Sequence, residues 1–232
     1  MFVRWPLCVL MPFGSLTFLH TQELDFSYCQ DLDTAYLNQL SPLSATLRTL
    51  RLRGALHVQC PTDPSVLTNL VELDLSAITS QGSTSMSLTD LTELCRHCQN
   101  VERLNLAWRK GFTDATMLEN MTRLKALDVS LTTLTAEGCR PLANMCNLVE
   151  LDLSATDISH EGILSVFPPN KSSNIEELRL RFVQGITSKT LVYLEENAPR
   201  LKLLDITSSG IDQEDSKLAI RALRLKGITI LI

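Results

Sequence analysis

Apolar residues recur along this chain in a six-residue phrase whose first, fourth and sixth positions are hydrophobic. The phrase is clearest in Val101-x-x-Leu104-x-Leu106, Leu124-x-x-Leu127-x-Val129 and Leu148-x-x-Leu151-x-Leu153. Its second half alternates apolar and polar positions, which predicts a β-strand with one buried face. A short unit repeated at a nearly constant spacing is typical of a solenoid, in which each unit packs only against its neighbours.

Aligning the chain on the first apolar position gives eight phrases, which begin at Thr21, Leu47, Leu70, Val101, Leu124, Leu148, Ile175 and Leu201. The longest interval runs from Leu70 to Val101, and loops must absorb the variation in spacing. After the last phrase, a helical pattern to Lys226 and then Gly227 predict a stop before a ninth strand, Ile228–Ile232. We therefore expect residues 21–232 to form one repeat domain of about eight units plus a C-terminal strand. Residues 1–20 are interpreted as a cap or a remnant repeat.

The segments between the phrases change to helical periodicity. Residues 112–121 and 186–194 place apolar side chains three and four positions apart. Polar residues suited to begin a helix recur before or within these segments, at Thr113, Thr135, Ser159, Thr187 and Asp212. Strand, helix and parallel strand in succession predict an α/β horseshoe with strands on the concave face and helices on the convex face.

Particular residues carry a family resemblance. Cys98-Gln-Asn-Val-Glu-Arg-Leu-Asn-Leu106, followed by Phe112-Thr-Asp, resembles the cysteine-containing leucine-rich repeats of F-box substrate receptors of ubiquitin ligases, and more broadly the ribonuclease-inhibitor type. Phe26-Ser-Tyr-Cys29 supplies a second cysteine position just after the strand. In three other repeats the equivalent position is a small polar residue, namely Thr132, Thr156 or Ser209. In four repeats it is another residue type, namely Ala55, Ile78, Arg109 or Val183. The resemblance implies a leucine-rich repeat fold and a substrate-recognition or adaptor role. Only twenty residues precede the first phrase, so we expect no F-box module.

Composition narrows the class of partner. The net charge is -5 and the pI near 5.4, which argues against binding a phosphate backbone, because nucleic-acid affinity rests on clustered Lys and Arg. The apolar run near Met1 is short and broken by prolines, so we expect neither a membrane span nor secretion. Seven cysteines without a compact framework favour reduced thiols in the cytoplasm or nucleus.

No pattern of residues predicts catalysis, a metal site or a cofactor. Cys95-Arg-His97-Cys98 is the nearest approach to a zinc cluster, and Cys139 and Cys146 are the available further ligands. Those two belong to a different repeat, and helices packed about 8–10 Å apart would keep the groups separate. Buried or solvent-facing thiols are the favoured interpretation. The polar run Thr79–Ser87 predicts a projecting loop, either a phosphorylated binding loop or a plain insertion.

The outward-facing strand positions are the candidate binding surface. The middle outward residue of the eight strands is in turn Asp25, Arg51, Asp74, Asn105, Asp128, Asp152, Arg179 and Asp205. Strands lie about 4.8 Å apart, so Arg51 and Arg179 are expected to neutralise the aspartates on either side. Asp128 and Asp152 are adjacent like charges with no arginine between them, which a basic partner would relieve.

A second column of large side chains follows the strands. It contains Tyr28, Trp108, Leu131 and Phe182, beside Arg53, Arg109 and Arg181. Exposed aromatic rings with arginine dominate many interfaces, although the rings could instead pack locally over the strand ends. The leading hypothesis is a non-catalytic protein-binding scaffold whose partner contacts Trp108, Arg109, Asp128, Leu131, Asp152, Arg179, Arg181 and Phe182. The alternative is a structural subunit of a larger assembly that contacts its neighbours through its edges, because Ile228–Ile232 would leave an unpaired strand edge.

Overall fold

A computed structural model describes residues 2–4, 20–29, 32–55, 58–78, 86–212 and 214–232. These residues contain a single parallel sheet of ten strands whose spatial order is their order in the chain. The strands are β1 Phe2–Arg4, β2 Glu23–Asp25, β3 Thr49–Arg51, β4 Glu72–Asp74, β5 Arg103–Asn105, β6 Ala126–Asp128, β7 Glu150–Asp152, β8 Glu177–Arg179, β9 Leu203–Asp205 and β10 Thr229–Leu231. The predicted solenoid is therefore confirmed, including the C-terminal strand.

Each strand from β2 to β10 buries its central side chain, and the pairing register places these side chains side by side. They are Leu24, Leu50, Leu73, Leu104, Leu127, Leu151, Leu178, Leu204 and Ile230. All are buried, as are the eight phrase starts. Full burial of one aliphatic side chain contributes about 1.5–3 kcal/mol, so the stacked rows stabilise the array rather than any single unit.

The convex side alternates between α-helices and shorter 3-10 helices. The α-helices are α1 Thr34–Asn38, α2 Leu88–His97, α3 His160–Val166, α4 Ser188–Asn197 and α5 Lys217–Leu225. The 3-10 helices are Ser41–Leu43, Pro64–Leu67, Thr116–Leu118 and Arg140–Asn144. In the described residues, the three shortest units, which begin at Leu47, Val101 and Leu124, have only 3-10 helices, whereas the longer units hold α-helices. A short connection leaves too few residues for an α-helical return path.

Two of the five predicted helix starts are confirmed. Ser159 is the N-cap of α3, and Thr187 caps α4 through a capping box with Thr190. The prediction is wrong for Thr113, Thr135 and Asp212. Residues 112–121 form only a 3-10 turn at Thr116–Leu118, and Thr135 instead accepts a hydrogen bond from the Gly138 N–H at 3.0 Å. Asp212 accepts from the Glu214 N–H at 2.8 Å in a turn that precedes α5.

An asparagine immediately before the phrase ties several units to the preceding one. The Asn69 side chain donates to the Ser44 carbonyl at 3.0 Å, and Asn100 donates to the Thr68 carbonyl at 2.7 Å. Asn147 donates in the same way to Thr122 at 2.8 Å. These bonds satisfy carbonyl groups at the ends of the convex segments, which would otherwise lack partners. They hold the units in register on the side opposite the strand ends.

The repeats also approach closely on the convex side. A side chain at Gly138 would place its Cβ 2.1 Å from the Thr113 carbonyl oxygen, so only glycine fits there. Gly227 has φ +83° and ends α5 before β10, as the sequence predicts.

Most of the N-terminal segment, interpreted as a cap or remnant repeat, lies outside the described residues. Phe2–Arg4, which the structure does describe, pairs in parallel with β2. The predicted projecting loop Thr79–Ser87 also falls largely outside, since only Met86 and Ser87 are described. Ser87 is the N-cap of α2 and accepts a hydrogen bond from the Asp90 N–H.

Candidate functional site

The eight middle outward residues lie in one line across the concave face. The register pairs Asp25 with Arg51, Arg51 with Asp74, and so on through Asn105, Asp128, Asp152 and Arg179 to Asp205. We call this line the strand row. Asp128 is the direct neighbour of Asp152, as the sequence predicts. The regular spacing of parallel strands thus brings together residues that are distant in the chain.

The acidic side chains of the strand row have a structural role of their own. Each accepts a hydrogen bond from the backbone N–H two residues later, which turns the chain away from the sheet. The distances are 2.9 Å for Asp128 with Ser130 and for Asp152 with Ser154, and Asn105 bonds the Ala107 N–H at 2.9 Å. An Asp or Asn is therefore favoured at this position by local geometry alone.

The arginines of the strand row make their short side-chain contacts with glutamates, and Arg51 also interacts electrostatically with the neighbouring Asp25. Arg51 bonds Glu72 at 2.7 Å and lies 3.7 Å from Glu23, and Arg179 bonds Glu177 at 2.7 Å. These glutamates occupy the first position of each strand, on the same face. Arg51 reaches diagonally to neighbouring strands and Arg179 reaches along its own strand, because a glutamate is longer than an aspartate that is already held by its own turn.

The first strand positions form a second line, which sequence reasoning missed. We call it the outer row: Glu23, Thr49, Glu72, Arg103, Ala126, Glu150, Glu177 and Leu203. Arg103 reaches over the small Ala126 to Glu150, with 3.5 Å between Nη1 and Oε1. Strand alternation with period two was sufficient to find this row, since residues two apart share a face.

A concavity lies at the centre of the two rows, with a volume of about 450 Å³. Its lining includes five carboxylates, from Glu72, Asp74, Asp128, Glu150 and Asp152, and two guanidinium groups, from Arg103 and Arg179. The centre of the concave surface is therefore acidic. Because the surface is concave, these carboxylates converge on one volume.

The surroundings of Asp128 disfavour its negative charge. Burial raises the pKa of its carboxyl above the usual range, and the charges of Asp152 and Asp74 raise it further, against the lowering effect of the Ser130 hydrogen bonds. The ionised form is therefore disfavoured in the free protein. A cation placed beside Asp128 would relieve this cost.

Replacing Asp128 with asparagine is expected to stabilise the free protein at neutral pH. The folded-state pKa is raised, so ionisation costs stability as pH rises through the usual Asp range and the folded pKa, and the gain vanishes below both values. Asn105 shows that asparagine can hold the same turn. Calorimetry at pH 7 should show a rise in Tm on the order of 1–3 °C. Asp25→Asn, beside Arg51, is the control and should give no such rise.

A third line of residues follows the strands, and we call it the rim column. Its members are Tyr28, Gly54, Ala77, Trp108, Leu131, Ala155, Phe182 and Ser208. Backbone N–H groups of the column continue the hydrogen bonding of the sheet beyond the strands. The Trp108 N–H donates to the Ser130 carbonyl at 2.9 Å, and the Phe182 N–H donates to the Thr207 carbonyl at 3.0 Å. The sequence-predicted column of Tyr28, Trp108, Leu131 and Phe182 thus lies on one edge of the concave face.

The rim column is held in an unusual backbone conformation. Tyr28, Trp108, Leu131, Ala155, Phe182 and Ser208 all have φ between 52° and 67°, and Gly54 has φ 71°. Left-handed backbone costs about 1–2 kcal/mol for a residue with a side chain. Glycine would remove that cost, so local backbone energy does not explain why large side chains occupy this column.

Large and small side chains are interspersed along the rim. Phe182 is 54% exposed and Tyr28 is 52% exposed, while Trp108 and Leu131 are half-buried. Ala155 lies between Leu131 and Phe182 and leaves a notch about two strand spacings wide, roughly 10 Å. Arginines stack beside both exposed rings: Arg53 Cζ is 5.7 Å from the Tyr28 ring centre, and Arg181 Cζ is 5.8 Å from that of Phe182.

Arg109 is buried and does not lie on this surface. The prediction that Arg109 contacts a partner is therefore corrected. It is only 4% exposed, and its Nε donates to the Leu75 carbonyl at 2.5 Å, one repeat away. Burial lowers its pKa to about 10. Ile78 occupies the small polar position of that repeat, where Thr132 and Thr156 donate to their own repeats' carbonyls at 2.7 Å. Arg109 supplies from the next repeat the bond that Ile78 cannot make.

The cysteines do not form a metal centre in the described part of the chain, where no group of three or more potential ligands is suitably arranged. Cys95 and Cys98 are fully buried, and burial raises the pKa of the Cys95 thiol to about 12. Cys139 is also buried, and Cys146 is exposed.

Among the residues that the structure describes, no helix is long and apolar enough to cross a membrane.

Comparison with known families identifies the repeats. A family model described as a leucine-rich repeat matches residues 120–143 and 144–167, which are two adjacent units. No curated protein sequence is significantly similar to the chain. The matched units contain β6 and β7, with Asp128 and Asp152.

Solved structures resemble the whole array. An internalin (inlF) from Listeria monocytogenes str. 4b F2365 aligns with 94% of this chain, at TM-score 0.59 and 17% identity, and the chain spans 63% of its length. An internalin C2 from the same strain aligns with 83% of this chain and 74% of its own length, at TM-score 0.54 and 21% identity. TLR13, solved in complex with ssRNA13, aligns with 82% of this chain and 26% of its own length, at TM-score 0.56 and 19% identity. The fold of this chain is that of a leucine-rich repeat solenoid.

Proposed function

We propose that this chain is a non-catalytic scaffold that binds a protein partner on its concave face. The observation that carries the proposal is the convergence of the strand row, the outer row and the rim column on one accessible surface. Leucine-rich repeat solenoids are in general binding scaffolds, and curved arrays of this kind present extended concave surfaces for ligands.

The chemistry of the surface supports a partner with a basic side chain flanked by an apolar one. A lysine or arginine placed between Asp128 and Asp152 would meet both carboxylates and would offset the repulsion between them. An apolar side chain would fit the notch at Ala155, between Leu131 and Phe182. Arg179 and Arg181 lie at this end of the surface. They would pair with acidic groups of the partner beside its basic residue and so fix the orientation of the partner.

A protein partner is favoured over nucleic acid because the centre of the concave face is acidic. Five carboxylates against two guanidinium groups would repel a phosphate backbone. One structural neighbour is a receptor solved with single-stranded RNA, so the choice between the two classes of partner needs a direct test.

Reversing charge at the centre of the surface tests the proposal. Asp128→Lys with Asp152→Lys should lower partner recovery from a cell lysate by at least about tenfold, because like charges would now face the basic group. Glu137→Lys with Glu196→Lys, two exposed convex acids, is the control. Captured proteins are quantified by mass spectrometry with and without ribonuclease. Equal recovery with both variants, or capture that depends on RNA, would contradict the proposal.

A narrower function follows from the resemblance to F-box substrate receptors. We propose that the captured protein is a substrate presented to a ubiquitin ligase in the cytoplasm or nucleus. Buried Cys98 and Cys29 at the positions that carry the resemblance support it, and the six described cysteines are all free thiols. Ligase subunits should then be enriched in the wild-type capture, and their absence would leave only the general scaffold.

A structural subunit of a larger assembly, which contacts its neighbours through the edges of the sheet, is the second candidate. In the described residues β10 is paired on one side only, with β9. The backbone groups on the other side of β10 can bond a further strand, from the same chain or from another molecule.

A further inference from the structure

A trough crosses the concave face between the strand row and the rim column. Its floor is formed by the residues two positions after the strand row, which face the same side as that row. They are Ser27, Arg53, Ser76, Ala107, Ser130, Ser154, Arg181 and Thr207. The pairing of the sheet extends through this floor, since the Gly54 N–H donates to the Ser76 carbonyl at 2.8 Å and the Leu131 N–H donates to the Ser154 carbonyl at 2.9 Å. The strand row is therefore one wall of the trough and the rim column is the other.

The middle of the trough floor consists of small side chains. After β4 to β7 the floor residues are Ser76, Ala107, Ser130 and Ser154. Arg53 and Arg181 stand at the two ends, five strand spacings apart, or roughly 24 Å. Their guanidinium groups lie over the rings of Tyr28 and Phe182 in the rim column. The low floor between the two arginines allows the main chain of a ligand to approach the sheet closely.

One floor residue has an unsatisfied polar group. Ser76 is 2% exposed, and its Oγ has no hydrogen-bond partner among the described residues. It lies two residues after Asp74 and so faces the trough. The Ser154 Oγ, on the same floor, accepts from the Arg181 N–H at 3.2 Å. A buried hydroxyl without a partner is unfavourable, and an N–H group of a chain lying in the trough would satisfy it.

The rim wall is apolar near both ends of the trough. After β7 the apolar position is the notch at Ala155. After β3 it lies at Gly54, where a Cβ atom would come within 1.9 Å of the Ile78 Cδ1, so the Ile78 side chain occupies the place of a rim side chain. Ile78 is 36% exposed, and Tyr28 at the adjoining rim position is more than half exposed. These two apolar positions are four strand spacings apart, or roughly 19 Å.

We propose that the trough holds an extended segment of the protein partner, with its main chain on the small floor residues and its side chains directed alternately to the two walls. The inference rests on the proposed function, because it specifies which kind of segment the concave face holds. A chain that lies across the strands in this way meets the acidic wall on one side and the apolar wall on the other.

The spacing of the walls predicts a pattern in that segment. An extended chain rises about 3.3 Å per residue, so side chains six residues apart point to the same side and are roughly 20 Å apart. That distance matches the separation of Gly54 from Ala155. The fifth residue points to the opposite wall, roughly 17 Å from the start, where Asp128 and Asp152 lie side by side. The partner segment should therefore have two apolar residues six positions apart, with a lysine or arginine next to one of them on the inner side.

Selection from a random peptide library tests this pattern. Twelve-residue peptides displayed on phage are selected on the immobilised whole chain and then sequenced. The predicted pattern, in either chain direction, should be enriched at least about tenfold over the starting library. Tyr28→Ser with Ile78→Ser should remove the preference for the distant apolar residue and retain the basic residue with its apolar neighbour. Asp128→Lys with Asp152→Lys should remove the preference for the basic residue.

A substitution on the trough floor tests where the main chain lies. The ring in Ser130→Phe would occupy the place of the bound main chain, so the affinity of a selected peptide, measured by fluorescence anisotropy, should fall at least about tenfold. Ser172→Phe, the same change at an exposed serine after α3, is the matched control and should bind like the wild type. Circular dichroism melting verifies that both variants are folded.

The outcomes separate this inference from the proposed function. Enrichment of lysine or arginine without a second apolar residue six positions away would overturn the extended segment and leave the concave-face scaffold in place. Unchanged affinity in Ser130→Phe would also overturn it. A selection without any enriched basic residue would contradict both the extended segment and the proposed function. Glu137→Lys with Glu196→Lys, on the convex side, should select the same pattern as the wild type.

Discussion

Arg109→Ala is expected to lower the free energy of unfolding by about 2–4 kcal/mol, the largest effect that we expect of any polar substitution in this chain. The mutation leaves the Leu75 carbonyl without its 2.5 Å donor in the protein interior and empties the volume that the side chain fills. Chemical denaturation monitored by circular dichroism measures the loss.

Two further substitutions separate the causes of that loss. Arg109→Met keeps most of the volume and removes the cation, whose pKa burial lowers to about 10, so it should cost less than alanine. Arg123→Ala, at an exposed arginine, should change stability by no more than about 0.5 kcal/mol. If Arg109→Ala were as mild as Arg123→Ala, the structural role assigned to the buried bond would be wrong.

Trp108→Ala combined with Phe182→Ala is expected to lower partner recovery by at least about tenfold while leaving Tm within about 2 °C of the wild type. Both residues have φ near 60°, and alanine retains the same backbone cost, so the substitution removes side chains without changing strain. Phe182 is more than half exposed and contributes little to the core. Aromatic residues at interfaces often dominate the binding energy.

The measurement compares proteins captured by this variant with those captured by the wild type. Val192→Ala, at an exposed apolar position on the convex helix α4, is the control and should change nothing. The proteins lost should be the same as those lost with Asp128→Lys and Asp152→Lys, since both variants alter one surface. A fall in Tm of more than about 5 °C would instead assign the two rings to the folded core.

Fold prediction succeeded on the strands because one face of each strand is buried. Apolar residues at the fourth and sixth positions of a phrase leave only one way to turn the strand, and the register then places Leu127 beside Leu104 and Leu151. Prediction of the helices was weaker. Residues 112–121 have helical periodicity, yet this short unit returns to the next strand through a 3-10 turn. Chain length between strands overrides local propensity.

The candidate site was predicted in part, and the agreement between prediction and structure differs from residue to residue. The alignment of Asp128 with Asp152 follows from strand register, so the sequence was sufficient to find it. Arg179 was found on the correct row, but its bond to Glu177 depends on side-chain reach along the strand. Arg109 was placed on the rim because it follows Trp108, although its side chain turns inward to Leu75.

The amino-acid sequence by itself determined the repeat, the number of units from Thr21 onward, the buried leucine of each strand and the neighbours across the sheet. These features depend on the spacing of apolar residues along the chain. In a stacked array, that spacing fixes where each residue lies. Only the tertiary structure decided which arginine meets which acid, that Arg109 is buried and that the rim residues have left-handed backbone. Those features depend on side-chain direction and on contacts between units, which have no fixed spacing in the chain.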